Sequence, residues 1–473
     1  MRYLYLTHRW LGLTLGPLIV LWLLSGVVML FVSYPSLTHE EQLDHLQPLQ
    51  RSLIKVSPEK AWHSIFRKTS ETSAPKSTQL AMQQSRPVYY FLTDHWRAVW
   101  ADSGNAVVVN RELAISNALA FQPATRVNKV SLISLDQWSF SGKLNPHRPL
   151  YKVSLENENK SEIYISSRTG QVVLETSQHE RFWNWLGSIT HWVYFTELRA
   201  QREVWRQVIL WPAGAAITLS ALGIWIGIAR MRLTSRYSRN RHTPYRGFMR
   251  IHHIAGYTLG MILFTWLFSG WLSMTPMNWL SDRSLSDDEL NHWHGKPVSL
   301  QDYRVPDQLP TETKILEWTP FSGQAGVIGH SFNKSQRLHP ETGEGLPAYT
   351  LAQLQAAAGG MQAAPFVSIH WLTGHGDAYY SKNDERIPVA RASFDGDTSI
   401  SYYINAITGE IVSSHDTRSR AYRWLFTALH TWNFPGIEPQ FWRRFLIILL
   451  SVAGLTISLT GLYYGFKRLA LQR

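Results

Sequence analysis

The chain contains no cysteine. That excludes disulfides, thiolate-held iron–sulfur clusters and covalently attached c-type haem, whose motif is C-x-x-C-H. Any metal chemistry must therefore rest on His, carboxylate, Tyr or Met. Acidic residues are few: 34 Asp and Glu stand against 46 Lys and Arg, a formal net charge of +12 over 473 residues. A G-x-G-x-x-G dinucleotide fingerprint and a flavin-type signature are also missing, so an electron donor, if one is used, comes from outside the chain.

Apolar residues are concentrated in four runs, 11–32, 208–228, 254–273 and 445–466, none with a charged residue. Each has about the 20 residues needed to cross a bilayer. Trp10, Trp205, Trp211, Trp271 and Trp442 gather near their ends, as an interfacial belt does. Segment 230–250 holds seven arginines and no carboxylate, which predicts a cytoplasmic loop and both termini on that side. Most of the excess positive charge is thereby topological, and no nucleic-acid partner is needed to explain it. The first run is too long for a cleavable signal peptide, and "FVSYPS" offers no small-x-small cleavage site, so it reads as an uncleaved anchor.

One unit is written twice. Residues 8–26 and 252–270 share nine identities in nineteen ungapped positions. A second block, 164–191 against 403–430, matches Tyr164 with Tyr403, Thr169–Gly170 with Thr408–Gly409, Arg181 with Arg420 and His191 with His430. A third pairs Ser220, Gly223, Gly227 and Arg230 with Ser458, Gly461, Gly465 and Arg468. The inserted segments read as α+β. Ser57 and Pro58 open a helix, stretches near 111–120 and 350–358 are helical, and two short strands flank each Thr-Gly turn. Segment 69–79 reads as a polar linker. Parallel repeats of this kind are related by an axis along the membrane normal, which brings equivalent residues to the same depth.

His8, Gly12 and Gly16 are spaced i, i+4, i+8 and share a helix face, as do His252, Gly256 and Gly260. Small residues on a membrane helix allow close approach, which also serves plain helix packing. A histidine near a spanning helix is costly and marks function. With the axis through the bundle, His8 opposes His252 near the cytoplasmic face and His191 opposes His430 near the other. Opposed imidazoles between small-residue walls suit haem iron held by two axial histidines, with the glycine groove against the porphyrin. His253 points about 100° away from its neighbour, and His252 is preferred because it is the one that aligns with His8. Zinc, which takes three or four ligands, fits poorly. His191 and His430 read alternatively as residues of an amphipathic interfacial helix. His370 and His375 have no counterpart in the other half and read as surface histidines.

The doubled H-x-x-x-G-x-x-x-G…S-G helix and the Y-I-x-x-x-T-G hairpin resemble the PepSY-associated transmembrane helix family. "DQWSFSG" (136–142) and "DAYYS" (377–381) are similar to its outer-domain strands. The resemblance implies a bacterial inner-membrane protein of four helices in two parallel repeats, each with an inserted α+β PepSY-like periplasmic domain. The expected order is helix 1 (1–33), outer domain (34–205), helix 2 (206–230), loop (231–250), helix 3 (251–274), outer domain (275–441) and helix 4 with its tail (442–473). It further implies two haems b held by His8 with His252 and His191 with His430, and reductase activity on a ferric siderophore or other ferric chelate. Quinol or a cytoplasmic reductase would supply the electrons. Asp136, Trp138, Asp377 and Tyr379 are candidates for docking the chelate and equally for strand packing. Two other functions remain open at the level of sequence: a regulatory PepSY module, and a transporter of iron chelates. The latter lacks the broken helices and midplane polar residues of a carrier.

Overall fold

The computed structural model describes residues 2–66, 75–123, 125–234, 237–332, 334–372, 377–380, 388–396, 399–437 and 440–471. Six helices and fifteen strands carry the architecture, in chain order as follows. Helix α1 (Arg2–Met29) precedes strands β1 (Ser77–Gln83), β2 (Arg86–Leu92) and β3 (Trp96–Trp100). Helix α2 (Arg111–Phe121) leads to β4 (Val127–Ile133), β5 (Leu150–Leu155), β6 (Glu162–Ser166) and β7 (Val172–Thr176). Helices α3 (Arg202–Arg230) and α4 (Gly247–Leu272) follow. Then come β8 (Ile315–Phe321), β9 (Gln324–Ser331), β10 (Lys334–Leu338), β11 (Gly345–Leu346) and helix α5 (Leu351–Ala358). Strands β12 (Phe366–Trp371), β13 (Val389–Phe394), β14 (Ser401–Asn405) and β15 (Ile411–His415) lead to α6 (Gln440–Ala470).

The chain divides into two compact units. The first joins residues 1–34, 180–282 and 417–473. Its four long helices, α1, α3, α4 and α6, are each apolar and long enough to cross a membrane, so the chain is a membrane protein with segments inserted between spans. They form a closed ring in which α1 packs on α3 and α6, and α4 packs on the same two. Ile19, Leu23, Ala216, Leu219, Leu263 and Leu267 fill the middle. Arg230 ends α3, and Lys467 with Arg468 ends α6, where positive charge complements the helix dipole. Each helix starts before the apolar run read from the sequence, while α1 and α4 end slightly short of theirs; α4 starts at Gly247, which places both His252 and His253 inside it.

The second unit joins residues 35–179 and 283–416. Here the structure departs from the expectation of two separate inserted domains at 34–205 and 275–441. Strand β1 pairs with β8 in antiparallel register, Thr78 opposite Trp318 and Ala81 opposite Ile315. The two insertions thereby share one seven-stranded sheet of order β11-β10-β9-β8-β1-β2-β3. Trp62, Leu80, Tyr89, Phe91, Leu316 and Trp318 form its core; full burial of each such side chain contributes about 1.5–3 kcal/mol. This sharing also corrects the linker reading of 69–79. Residues 67–74 lie outside the described ones, but Ser77 onward is strand. Its Ser, Thr and Gln side chains look like loop in isolation, yet Thr78 is buried and Gln79 donates to Glu317 across the junction.

Two smaller sheets complete the unit, β4-β5-β6-β7 and β12-β13-β14-β15, each antiparallel and in sequence order. A helix covers each. Asn110 caps α2, accepting from the Leu113 amide at 2.9 Å, and Thr350 with Gln353 forms a capping box on α5. Ala114, Ala118 and Phe121 of α2 pack on Val153, Ile163 and Ile165. Leu354, Ala357 and Ala358 of α5 pack on Ala390, Ala392 and Ile404. The turns at Gly170 (φ +77°) and Gly409 (φ +73°) require glycine, and both lie where the Thr-Gly pairs predict them.

Candidate functional site

The four symmetry-matched histidines meet in two pairs inside the helical unit. His8 of α1 and His252 of α4 have ring centroids 6.3 Å apart, with planes inclined by 52°. His191 and His430 have centroids 6.0 Å apart, inclined by 62°. Their depths differ by about half the length of α1. His8 leans on Leu219, while His191 reaches Trp22, and fourteen residues of α1 separate His8 from Trp22. At 1.5 Å per residue that is about 21 Å.

Each ring is held by its Nδ1. In His8 it donates to the Leu219 carbonyl at 3.1 Å, and in His252 to the Ile457 carbonyl at 2.9 Å. In His191 it donates to the Trp22 carbonyl at 3.1 Å, with the Ser25 hydroxyl also at 3.1 Å. In His430 the Ser269 hydroxyl lies at 3.1 Å, and the Trp266 backbone is within reach. A carbonyl only accepts, so the proton sits on Nδ1 and Nε2 keeps its lone pair. That is the state in which imidazole binds a metal, with the backbone bond orienting the ring and raising its basicity.

The segments bearing His191 and His430 are built alike. A π-helical turn, Trp185–Ile189 or Arg423–Ala428, precedes each histidine, and a left-handed residue follows, Val193 (φ 54°) or Trp432 (φ 53°). The wider turn rotates the histidine off the face an α-helix would give it, and such turns recur at functional sites. Thr190 Oγ1 donates to the Trp185 carbonyl five residues back at 2.7 Å, and Asn184 Nδ2 donates to the Ser33 carbonyl at 2.9 Å, fastening the segment to the end of α1.

Glycines seat the rings. A Cβ on Gly223 would stand 2.7 Å from His8 Cε1, and one on Gly461 3.0 Å from His252 Cε1. A Cβ on Gly270 would stand 3.1 Å from His430 Cε1, and one on Gly26 3.4 Å from His191 Cε1. Every histidine edge thus lies on a glycine of a neighbouring helix. The glycines expected to form a porphyrin groove divide into two kinds. A Cβ on Gly16 would stand 2.8 Å from Leu462 and one on Gly260 3.3 Å from Ile224, so these two glycines pack against neighbouring helices. Gly256 faces open space, and Gly12 has only Leu219 near it, at 3.8 Å. Gly26, Gly270, Ser25 and Ser269 were not singled out from the sequence, although the Ser-Gly pair closing the nineteen-residue repeat marks them.

Geometry separates the possible metals. With imidazole–metal bonds of about 2 Å and about 1.1 Å more to each ring centre, two trans imidazoles on one metal have centroids about 6 Å apart, against about 5 Å at a tetrahedral angle. The observed separations are 6.3 and 6.0 Å, wide enough to admit a metal between each pair of rings. Among the described residues, no cluster of three or more His, Asp or Glu side chains is placed to hold a metal ion. The side chains that could hold a haem iron, were one bound, are His8 with His252 and His191 with His430.

The remaining candidates fall elsewhere. His253 donates from Nε2 to the Gly227 carbonyl at 3.1 Å and is buried against Tyr245. His370 is exposed on β12, and His375 lies outside the described residues. Asp136 and Asp377 are engaged within their sheets. Asp136 accepts from Lys152 at 3.0 Å, Tyr164 at 2.8 Å and the Trp138 amide at 3.1 Å. Asp377 accepts from Arg391 at 3.1 Å, Tyr403 at 3.0 Å and the Tyr379 amide at 2.8 Å. Burial opposes ionisation of Asp136, but Lys152 and the hydrogen bonds from Tyr164, Lys152 and Ser139 outweigh it and hold the carboxyl below its usual range. Strand packing is the role these contacts describe. The family model for the PepSY-associated TM region matches residues 5–468, and no curated protein matches the chain.

Proposed function

We propose that this chain, which belongs to the PepSY-associated transmembrane family, is a two-haem electron conduit of the bacterial inner membrane that reduces a ferric chelate, most suitably a ferric siderophore, in the periplasm. The observation that carries the reading is the doubled pair of histidines, with ring centroids 6.3 and 6.0 Å apart and each ring held at Nδ1 so that Nε2 would be left to hold a metal. Haem b bound at both pairs supplies reversible one-electron transfer at two depths of the membrane. The chain's part is to orient and insulate. Backbone carbonyls fix the tautomer, glycines let the rings lie flush, and the apolar helices exclude water.

The arginines of 230–250 put that loop and both termini in the cytoplasm under the positive-inside rule, and the inserted segments in the periplasm. On this reading His8 with His252 is the entry level and His191 with His430 the exit level. The repeat relating the two halves sets the paired residues at equal depth. Quinol or a cytoplasmic reductase supplies electrons. Ferric iron in a siderophore is held tightly by hard oxygen ligands and ferrous iron less so, so gaining one electron loosens it.

The test is stopped-flow oxidation in vesicles of known orientation, with the protein pre-reduced and a ferric siderophore added on the periplasmic side. Wild type should reoxidise and release Fe²⁺ to a ferrous chelator. His430→Ala should lose that transfer while the His8–His252 level still reduces. Equal rates for the two proteins contradict the assigned order.

A further inference from the structure

Beside α4, at its end nearest the arginine loop, a groove runs between α4 and α6. Phe248, Arg250, Ile251 and Ala255 line one wall, and Tyr463 and Tyr464 the other. Its floor is an apolar stripe of α4, and its mouth is polar. Arg250 makes no ion pair, and the hydroxyls of Tyr463 and Tyr464 make no hydrogen bond, among the described residues. Phe248 stands edge-on to Tyr463 at 5.5 Å, and Lys467 lies 5.9 Å from the same ring. The Tyr464 hydroxyl stands 3.6 Å from where a Cβ on Gly247 would be, beside the first turn of α4, whose N-cap, Arg246, provides no side-chain cap. Positive charge, free hydroxyl donors and uncapped amides therefore converge above an apolar channel.

The other half of the chain lacks this arrangement. Arg250 aligns with Leu6, and Tyr463 and Tyr464 align with Trp225 and Ile226. The histidines, the seating glycines and the serines are kept in both halves, whereas the polar groups of the groove occur in one. Symmetric packing of the bundle does not require them.

We propose that this groove is a binding site for one anionic phospholipid, with the phosphate between Arg250 and the Tyr464 hydroxyl and an acyl chain along Ile251 and Ala255. Charge selects the occupant. Basic pockets between spanning helices at the cytoplasmic leaflet bind anionic headgroups, and Arg with hydroxyl donors makes charge-assisted bonds to phosphate oxygens. A quinol fits less well, because its oxidation releases two protons and the groove wall contains no carboxylate or histidine to accept them. The site does not depend on the redox reading of the histidines.

Native mass spectrometry of the full chain in detergent, after exchange with phosphatidylglycerol or phosphatidylcholine, tests it. Wild type should retain one phosphatidylglycerol in preference to phosphatidylcholine. Arg250→Gln should weaken retention by about five- to tenfold, the usual effect of one basic contact. Ala255→Trp, which fills the channel without touching charge, should weaken it as well. Arg232→Gln, an equal charge change in the loop, should leave it unchanged. Equal retention of the two lipids, Arg250→Gln binding as wild type, Arg232→Gln weakening binding as much as Arg250→Gln, or a quinone retained in place of lipid would each overturn the proposal.

Discussion

Gly223→Ala tests the seat beneath His8. In an exposed helix the change from glycine to alanine stabilises by about 1 kcal/mol, so with nothing above Gly223 the variant would be more stable than wild type. The structure puts the new methyl 2.7 Å from His8 Cε1, about 1 Å inside ordinary carbon contact. The ring must give way, and with it the Nδ1 bond to Leu219. Overpacking of this kind costs about 1–3 kcal/mol, and losing the hydrogen bond about 0.5–1.5 kcal/mol. After the helix gain, a net destabilisation of about 1–3 kcal/mol remains. The same substitution elsewhere should scale with distance: Gly461 (3.0 Å) and Gly270 (3.1 Å) milder, and Gly26 (3.4 Å) near neutral. Thermal unfolding in detergent measures the order. Electron paramagnetic resonance of the low-spin signals should report which histidine pair is disturbed. A Gly223→Ala protein as stable as wild type, or a Gly26→Ala protein more damaged than it, would refute the reasoning.

Other expectations follow from the same contacts. His252→Ala should remove the cofactor of the His8 pair alone, while His253→Ala should spare both and cost only about 1 kcal/mol for the Gly227 bond, as read by absorbance and thermal unfolding. Asp377→Asn should destabilise more than Asp136→Asn, about 2 against about 1 kcal/mol in chemical denaturation. Lys152 keeps Glu162 at 2.9 Å when Asp136 is neutralised, whereas Arg391, among the described residues, keeps the Ser401 hydroxyl at 3.4 Å and the Tyr403 ring but no second carboxylate. Burial lowers the His147 pKa to about 4. Below pH 6.5 the unfolded chain takes up a proton that the folded one refuses, so stability falls between pH 6.5 and 4 by up to about 3 kcal/mol. His147→Gln should flatten that part of the pH–stability curve.

Much of the helical unit was legible because apolar length marks a spanning helix within one segment and because the chain repeats itself. His8 and His252 emerged from their shared spacing to glycine, and the choice of His252 over His253 from its alignment with His8. The π-helical turns before His191 and His430 leave no such trace, since "WLGSI" and "RWLFTA" read equally well as α-helix. The neighbours of Gly16 and Gly260, Leu462 and Ile224, lie on other helices and are not readable from the spacing within one helix. The junction of β1 with β8 was hidden for the same reason. Strand periodicity reports which face is buried, not which distant strand covers it. Asp136 and Asp377 stood out in strand-like segments, but their partners Lys152 and Arg391 became apparent only across neighbouring strands.

The central claim is that the two histidine pairs each hold one haem. A pyridine haemochrome assay on the purified protein, combined with low-temperature electron paramagnetic resonance, tests it most directly. The account predicts about two b-type haems per chain and two low-spin bis-imidazole signals, with the His8→Ala and His430→Ala variants each losing a different one. A fully folded preparation without haem, or one haem lost equally from both variants, would contradict it.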